Sequence, residues 1–234
     1  LVNADNNPII PGSSLKGAIR TAIATNLFIK NTQVVNSCIS EIKQASDNGK
    51  IYGLKKIENK LMKKLFTGNQ NGTAHEDAMR FLIVGDIEFA YETQGTVIDI
   101  INYYNKGWSI KKGQSAIVET IAAGCESEPF RIKINKQLLN ENKNRKLINC
   151  DITYLSDIKT IFNIVNEHTH KMVTEEIDFW EKQENYEDIG NIIDKYLQKL
   201  YEISENINNL KENEMIIRIG GNTGWISITG GWIR

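Results

Sequence analysis

The sequence predicts an α+β protein, and three observations carry that prediction. Apolar residues near the start recur at helical spacing, at Leu15, Ala18, Ile19, Ala22, Ile23 and Leu27. Between residues 81 and 134 the chain turns to Ile-, Val- and aromatic-rich runs separated by polar turns, the composition of strands. From Ser156 onward the helical period returns, and a last apolar run, Met215-Ile216-Ile217-Arg218-Ile219, reads as a strand again.

In order along the chain, Pro8-Ile9-Ile10-Pro11 predicts a short extended lead-in, because each proline biases the residue before it away from the helical region. Gly12-Ser13-Ser14 supplies a turn and an N-cap for the first helix. A second helix is expected over 52–66, with Leu54, Ile57, Leu61 and Leu65 inward and Lys55, Lys56, Lys60, Lys63 and Lys64 outward. Gly68-Asn69-Gln70-Asn71-Gly72 is a loop by composition. Strands are expected over 81–91 and 96–103, and a further pair over 115–122 and 130–134, joined by the polar turn 124–129. In that last strand Phe130, Ile132 and Ile134 alternate with Arg131 and Lys133, the period of a half-exposed strand.

Ile158, Ile161, Phe162, Val165 and Met172 predict a long helix, and Ile189, Ile192, Ile193, Tyr196, Leu197, Leu200 and Tyr201 a second one. Residues 220–224 form a glycine-rich loop, and 225–229 read as a strand or a tight continuation. No repeat stands out at periods of about 20 to 50 residues. The domain expectation is a core over 1–150, an acidic helical insertion or layer over 151–214, and a terminal strand and glycine-rich loop over 215–234 that complete the core.

Composition narrows the class. The 234 residues are enough for one large domain or two small ones. A hydrophobic content of 41% and a charged content of 24% are those of a globular chain rather than a disordered one. Asn, Ile and Lys number 26, 36 and 22, all with AT-rich codons, so part of this bias belongs to the genome. No apolar run approaches the roughly 18 residues of a membrane helix. The N-terminus has neither a signal pattern nor an initiator Met, and the chain is expected to be the remainder of a longer one. Cys38, Cys125 and Cys150, odd in number and widely spaced, form neither a disulfide framework nor a zinc pattern and suit the reducing cytoplasm. His168 and His170 are two residues apart, a spacing that points them to different sides of a helix, so no metal is expected.

The charge is unevenly divided. Residues 1–150 carry 20 Lys and Arg against 14 Asp and Glu, a net of +6, whereas 151–214 carry 6 against 15, a net of −9. A polyanion would meet the first part and the tail rather than the acidic segment. An ordinary solvated surface with clustered charges is the competing reading.

Two places could hold chemistry. At Gly12, Ser13, Ser14, Lys16 and Arg20, a helix N-terminus offers unpaired N–H groups, hydroxyls and two cations four residues apart, a set suited to phosphate. A routine helix start with two exposed cations would look the same. The spacing is not that of a Walker A loop. At Gly220, Gly221, Asn222, Thr223, Gly224 and Trp225, a glycine-rich loop after a strand could cradle a nucleotide backbone while the indole stacks on a base. The alternative there is a glycine hairpin with Trp225 in the core. Asp77, Asp86, Glu88, Glu119 and Glu126 are scattered without a partner histidine, so no catalytic set is expected. Asp77 and Asp86 read as capping or Arg-pairing groups, with Arg80 the expected partner of Asp77.

Ile10-Pro11-Gly12-Ser13-Ser14-Leu15-Lys16-Gly17-Ala18-Ile19-Arg20 closely resembles the signature segment of the RAMP superfamily, the RRM-like subunits of type III CRISPR effector complexes. Asp77-Ala78-Met79-Arg80, with Val84-Gly85-Asp86 after it, resembles the D-x-x-R core and V-S-D end found in many members. Residues 219–229 are similar to the C-terminal G-x-G-T-G-W/F-x-S-K-T loop of the fifth Csm subunit family, with Ser227 at the serine. Gly85 stands where the family has Ser, and Ile228 where it has Lys.

The resemblance implies an RRM/ferredoxin-like RAMP fold and a non-catalytic subunit of a type III-A (Csm) complex. Such a subunit caps the backbone filament near the crRNA 3′ end and supports assembly and crRNA maturation in antiviral defence. It implies crRNA and other Csm subunits as partners, above all the backbone RAMP subunit, with target RNA nearby, no cofactor and no membrane. It also implies that part of the N-terminal fold is missing from this chain. A backbone RAMP subunit with metal-dependent target-RNA cleavage is the alternative. Two features weigh against it: Asp5 lies only three residues ahead of Pro8, and the final loop lacks the R-G-Y-G form. A nucleotide-binding enzyme has the glycine-rich loop alone in its favour.

Overall fold

The structure, a computed structural model, describes residues 1–47, 54–90, 93–104, 106–145, 148–186 and 189–219. The elements run β1 (Ile9–Ile10), α1 (Gly12–Lys30), α2 (Thr32–Asp47), α3 (Leu54–Thr67), β2 (Leu82–Val84), β3 (Ile87–Glu88) and β4 (Gln94–Ile98). They continue with β5 (Ile101–Tyr104), β6 (Gly107–Ile110), β7 (Ala116–Thr120), β8 (Ile132–Ile134), α4 (Lys136–Arg145), α5 (Ile158–Glu181) and α6 (Gly190–Asn208). Short 3-10 turns cover Ala74–Glu76, Ala78–Phe81 and Thr153–Leu155. The protein is α+β, as its periodicity predicts, and among the described residues its strands pair two by two in antiparallel sheets.

Two compact units divide the chain. The first comprises residues 12–85, 131–169 and 211–234. In it α1, α2 and α3 pack on one another, and α1 also packs on β2. Leu15, Ile19 and Ile23 on α1, Phe66 on α3, Leu82 on β2, and Leu155, Ile161 and Val165 are almost wholly shielded from solvent. Each such side chain contributes about 1.5–3 kcal/mol of burial free energy. β2 pairs with β8, with Leu82 opposite Ile134 and Val84 opposite Ile132.

Three helices of this unit start on a side-chain cap. Asn31 Oδ1 accepts the Val34 amide at 3.1 Å, Asn135 Oδ1 the Leu138 amide at 3.1 Å, and Asp157 Oδ1 the Thr160 amide at 2.8 Å. In each case the cap reaches the third residue of its helix, satisfying a donor the helix cannot. The Thr160 amide also holds the Asp157 carboxyl below the usual carboxylate range.

The second unit comprises residues 1–11, 86–130 and 170–210. β1 pairs with β3, and β4–β7 and β5–β6 are nested antiparallel pairs. The Lys111 amide donates to the Ile100 carbonyl at 2.8 Å and carries the ladder across the break between those two pairs. An aromatic cluster ties β6 to the end of α5. Trp108 lies 5.3 Å from Tyr103, 5.9 Å from Phe179 and 5.1 Å from Trp180, centroid to centroid. Its indole N–H donates to Gln183 and its amide to the Asn185 carbonyl. Val173, Ile177 and Leu200 join α5 to α6, with Tyr196, Leu197 and Ile203 packed around them. The Tyr196 hydroxyl donates to Glu176 and that of Tyr201 to Glu181.

Several expectations are corrected here. α1 begins at Gly12, so Ser13 and Ser14 lie in its first turn instead of forming its cap. α2, α4 and β6 lie outside the elements the sequence predicts. The expected strand over 81–91 breaks after Val84, where the Gly85 amide donates to the Arg131 carbonyl at 2.8 Å. The expected 115–122/130–134 pair does not form: β7 pairs with β4, and β8 with β2. Residues 215–219 pair with no strand among the described residues, and the stretch that follows them, 220–234, lies outside those residues. Side chains of α5 hold the backbone around Ile216. Asn166 accepts the Ile216 amide and donates to the Glu214 carbonyl, both at 3.0 Å, and buried Thr169 donates to the Ile216 carbonyl at 2.7 Å.

Candidate nucleic-acid interface

The first turn of α1 is pressed against the end of β2. A Cβ on Gly12 would stand 2.4 Å from the Val84 carbonyl oxygen and 2.7 Å from that of Gly85, closer than any side chain tolerates. Glycine here lets two parts of the chain touch, so the space it opens is already filled and does not admit a ligand. The two residues that follow are different. Ser13 and Ser14 are exposed, and the amides of this first turn have no partner within the helix. The two hydroxyls and the positive end of the helix dipole thus meet at one surface point.

Lys16 follows, half-buried beside that end. Burial lowers its pKa, the Asp77 carboxylate acts against that shift, and the Arg20 charge adds to it. Arg20, one turn further on, is engaged by the protein itself. Its Nη1 donates to Asp77 Oδ1 at 2.9 Å, its Nη2 lies 2.8 Å from Asp77 Oδ2, and the guanidinium stacks 3.9 Å over the Phe66 ring. A two-pronged pair of this kind satisfies both carboxylate oxygens and fixes the plane of the guanidinium. Arg20 therefore ties α1 to the segment that follows α3 rather than standing free for phosphate.

Asp77 has a second role, since its Oδ1 also accepts the Met79 amide at 2.9 Å and caps the Ala78–Phe81 turn. The expected Asp77–Arg80 pairing is corrected: Arg80 is exposed and donates to the His75 carbonyl. Chain-local spacing favoured Arg80, but the true partner comes from α1, and nothing local in the sequence marks that contact or the Phe66 stack.

Behind this pair lie Cys150 and Tyr154. Burial, then the Asp77 and Asp151 carboxylates, push the Cys150 thiol up to about 11. Tyr154 is buried, its hydroxyl has no partner among the described residues, and burial raises its pKa far above the usual range. Gly68, at φ +77°, closes this corner, where a Cβ would meet the Asn149 carbonyl at 2.1 Å. Gly220, Gly221, Asn222, Thr223, Gly224, Trp225 and Ser227 lie outside the described residues. Of the expected site, the structure thus brings Ser13, Ser14 and Lys16 together at one end of α1 and turns Gly12 and Arg20 to packing.

No helix among the described residues is long and apolar enough to cross a membrane. No group of three or more His, Cys, Asp or Glu among them is placed to hold a metal ion.

Comparison with known proteins bears on this arrangement. A search of curated proteins finds no match. Among solved structures, the fold is similar to a chain in the cryo-EM structure of a Csm–crRNA–target RNA ternary complex of a type III-A CRISPR–Cas system. The TM-score is 0.61 at 18% identity, and the match covers 100% of this chain and 62% of that one. This chain thus spans less than two thirds of the length of its structural relative. The profile of the RAMP superfamily matches residues 1–225, from ahead of the α1 signature through to Trp225, and the chain belongs to that superfamily.

Proposed function

We propose that this chain is a crRNA-binding subunit of a type III-A (Csm) effector complex, and that it caps the backbone filament near the crRNA 3′ end. The observation that carries the RNA reading is the charge state of the α1 amino end. Asp77, the carboxylate whose charge acts on Lys16, is engaged in its pair with Arg20. Lys16, the exposed Ser13 and Ser14, and the helix dipole are therefore left as a net positive site for phosphate oxygens. Family membership and a fold shared with a chain of a Csm–crRNA complex support the same reading.

Contacts of this kind grip the sugar–phosphate backbone without reading bases, as a subunit that must accept any guide sequence requires. The partners in this reading are crRNA and other Csm subunits, above all the backbone RAMP subunit, with target RNA nearby in the cytoplasm. The chain positions RNA and leaves cleavage to its neighbours. Binding of labelled single-stranded RNA to the wild-type chain and to Lys16→Ala tests this. A weaker, less salt-sensitive complex for Lys16→Ala supports the assignment, and an unchanged affinity and salt slope contradicts it.

A further inference from the structure

The positive charge of the protein is more localised than the division at residue 150 implies. Residues 6–75 carry 10 Lys and Arg against 3 Asp and Glu, a net of +7, so the remainder of the chain sums to −8. That stretch includes α1, α2 and α3, which pack on one another. Within it α3 is sharply two-sided. Leu61, Leu65 and Phe66 are buried. Lys56, Lys60, Lys63 and Lys64 sit at three- and four-residue spacing on the other side, Lys56 and Lys63 exposed and Lys60 and Lys64 partly so. Among the described residues Lys60 alone of the four has a carboxylate partner, Glu41 at a loose 3.8 Å. From residue 59 to 75 the sequence contains no acid, so the cations near the end of α3 have no counter-charge from the polar loop that follows.

We infer that the lysine row of α3 is a second RNA-backbone contact, separate from the α1 amino end and resting on the RNA reading proposed above. Lysine suits this role because a flexible point charge follows phosphates of any sequence, whereas a guanidinium fork selects geometry. The row spans about 12 Å along the helix, enough to engage more than one phosphate. It carries no aromatic side chain to stack on a base, so its grip is electrostatic and sequence-independent.

The test is a fluorescence titration of 5′-labelled poly(U) 30-mer against the full chain at several salt concentrations. It compares the wild type, Lys16→Ala, a Lys56→Gln/Lys63→Gln/Lys64→Gln variant and a control with the same charge change elsewhere, Lys182→Gln/Lys195→Gln/Lys199→Gln. The α3 variant is expected to bind at least tenfold more weakly. Its slope of log K against log salt should be shallower by about 2, at roughly 0.7 per phosphate contact on a single strand. The control should match the wild type. An α3 variant with wild-type affinity and slope overturns this inference while leaving the α1 reading intact if Lys16→Ala is impaired. Equal weakening of the control variant also overturns it, since net charge rather than this row would then govern binding. A wild-type chain with no affinity for the RNA overturns both.

Discussion

Arg20 and Asp77, 57 residues apart in the chain, form a two-pronged ion pair stacked on the Phe66 ring. The pair connects two motifs that look independent in the sequence, the α1 signature and the D-x-x-R segment. It also offsets the negative charge of Asp77, the carboxylate that acts on Lys16. With their side chains 27% and 22% exposed, these groups are shielded enough for the pair to stabilise the fold. Removing either partner by Arg20→Ala or Asp77→Ala should cost about 1–3 kcal/mol. Arg80→Ala, at an exposed site, should stay within about 0.5 kcal/mol. Urea denaturation of the single variants and of the 20/77 double variant measures this, and a strong coupling of Asp77 to Arg80 instead of Arg20 would contradict the pairing.

The second prediction concerns Gly12. A methyl group there meets two carbonyl oxygens of the backbone, which cannot rotate away as a side chain would. Gly12→Ala should destabilise the protein by about 1–3 kcal/mol, the usual cost of overpacking, although alanine is the better helix former. Gly17→Ala is the control, because a Cβ there meets nothing within 4 Å. It should be neutral or stabilising in the same thermal melt.

Tyr154 and Cys150 give a third. Because the Tyr154 hydroxyl is buried without a partner among the described residues, Tyr154→Phe removes a desolvated polar group and no hydrogen bond seen there. It should leave the melting temperature unchanged or raise it; a marked fall would reveal a bonding partner. Cys150, with its thiol raised to about 11, is overwhelmingly a thiol at pH 8. The folded state favours the neutral form, so the associated stability is fully present below the ordinary thiol pKa and is lost as pH rises towards 11. Alkylation of Cys150 by iodoacetamide at pH 8 should be far slower in the native chain than in urea, and equal rates would contradict its burial.

The sequence was informative wherever local pattern and final environment agreed. α1, α3, α5 and α6 each bury one face, and their apolar spacing shows it. α4 is polar, whereas α2 buries Val34 and Cys38 one turn apart, and the start signals of both are single asparagines, Asn31 and Asn135, easily mistaken for loop residues in a chain so rich in Asn. Strand existence was readable, but strand partners were not. β7 and β8 are neighbours in sequence with a polar turn between them, yet each bonds a strand further back in the chain. Residues 215–219 have a strand's composition, and among the described residues the Ile216 backbone is held by side chains, Asn166 and Thr169, contacts that no periodicity records. At the candidate site the residue types were legible, whereas the division of labour among them depends on Asp77, Phe66 and Val84 arriving from elsewhere.

A fourth prediction separates the proposed cap from a cleaving backbone subunit. Asp77 is held by Arg20 and the Met79 amide, so its loss should act through stability and assembly. Effector complexes rebuilt with Asp77→Ala or Asp86→Ala, matched for the amount assembled, should cut target RNA at the normal positions and rates. Loss of one cut site with assembly intact would assign the chain a catalytic carboxylate instead.

The central claim, that this chain holds crRNA, is tested most directly by sequencing the RNA that stays with the protein through purification at moderate salt. The account predicts a nucleic-acid-rich absorbance ratio and a set of RNAs that share a common repeat-derived segment joined to varied guide sequences. Protein free of RNA, or carrying only an unselected sample of cellular RNA, would contradict it.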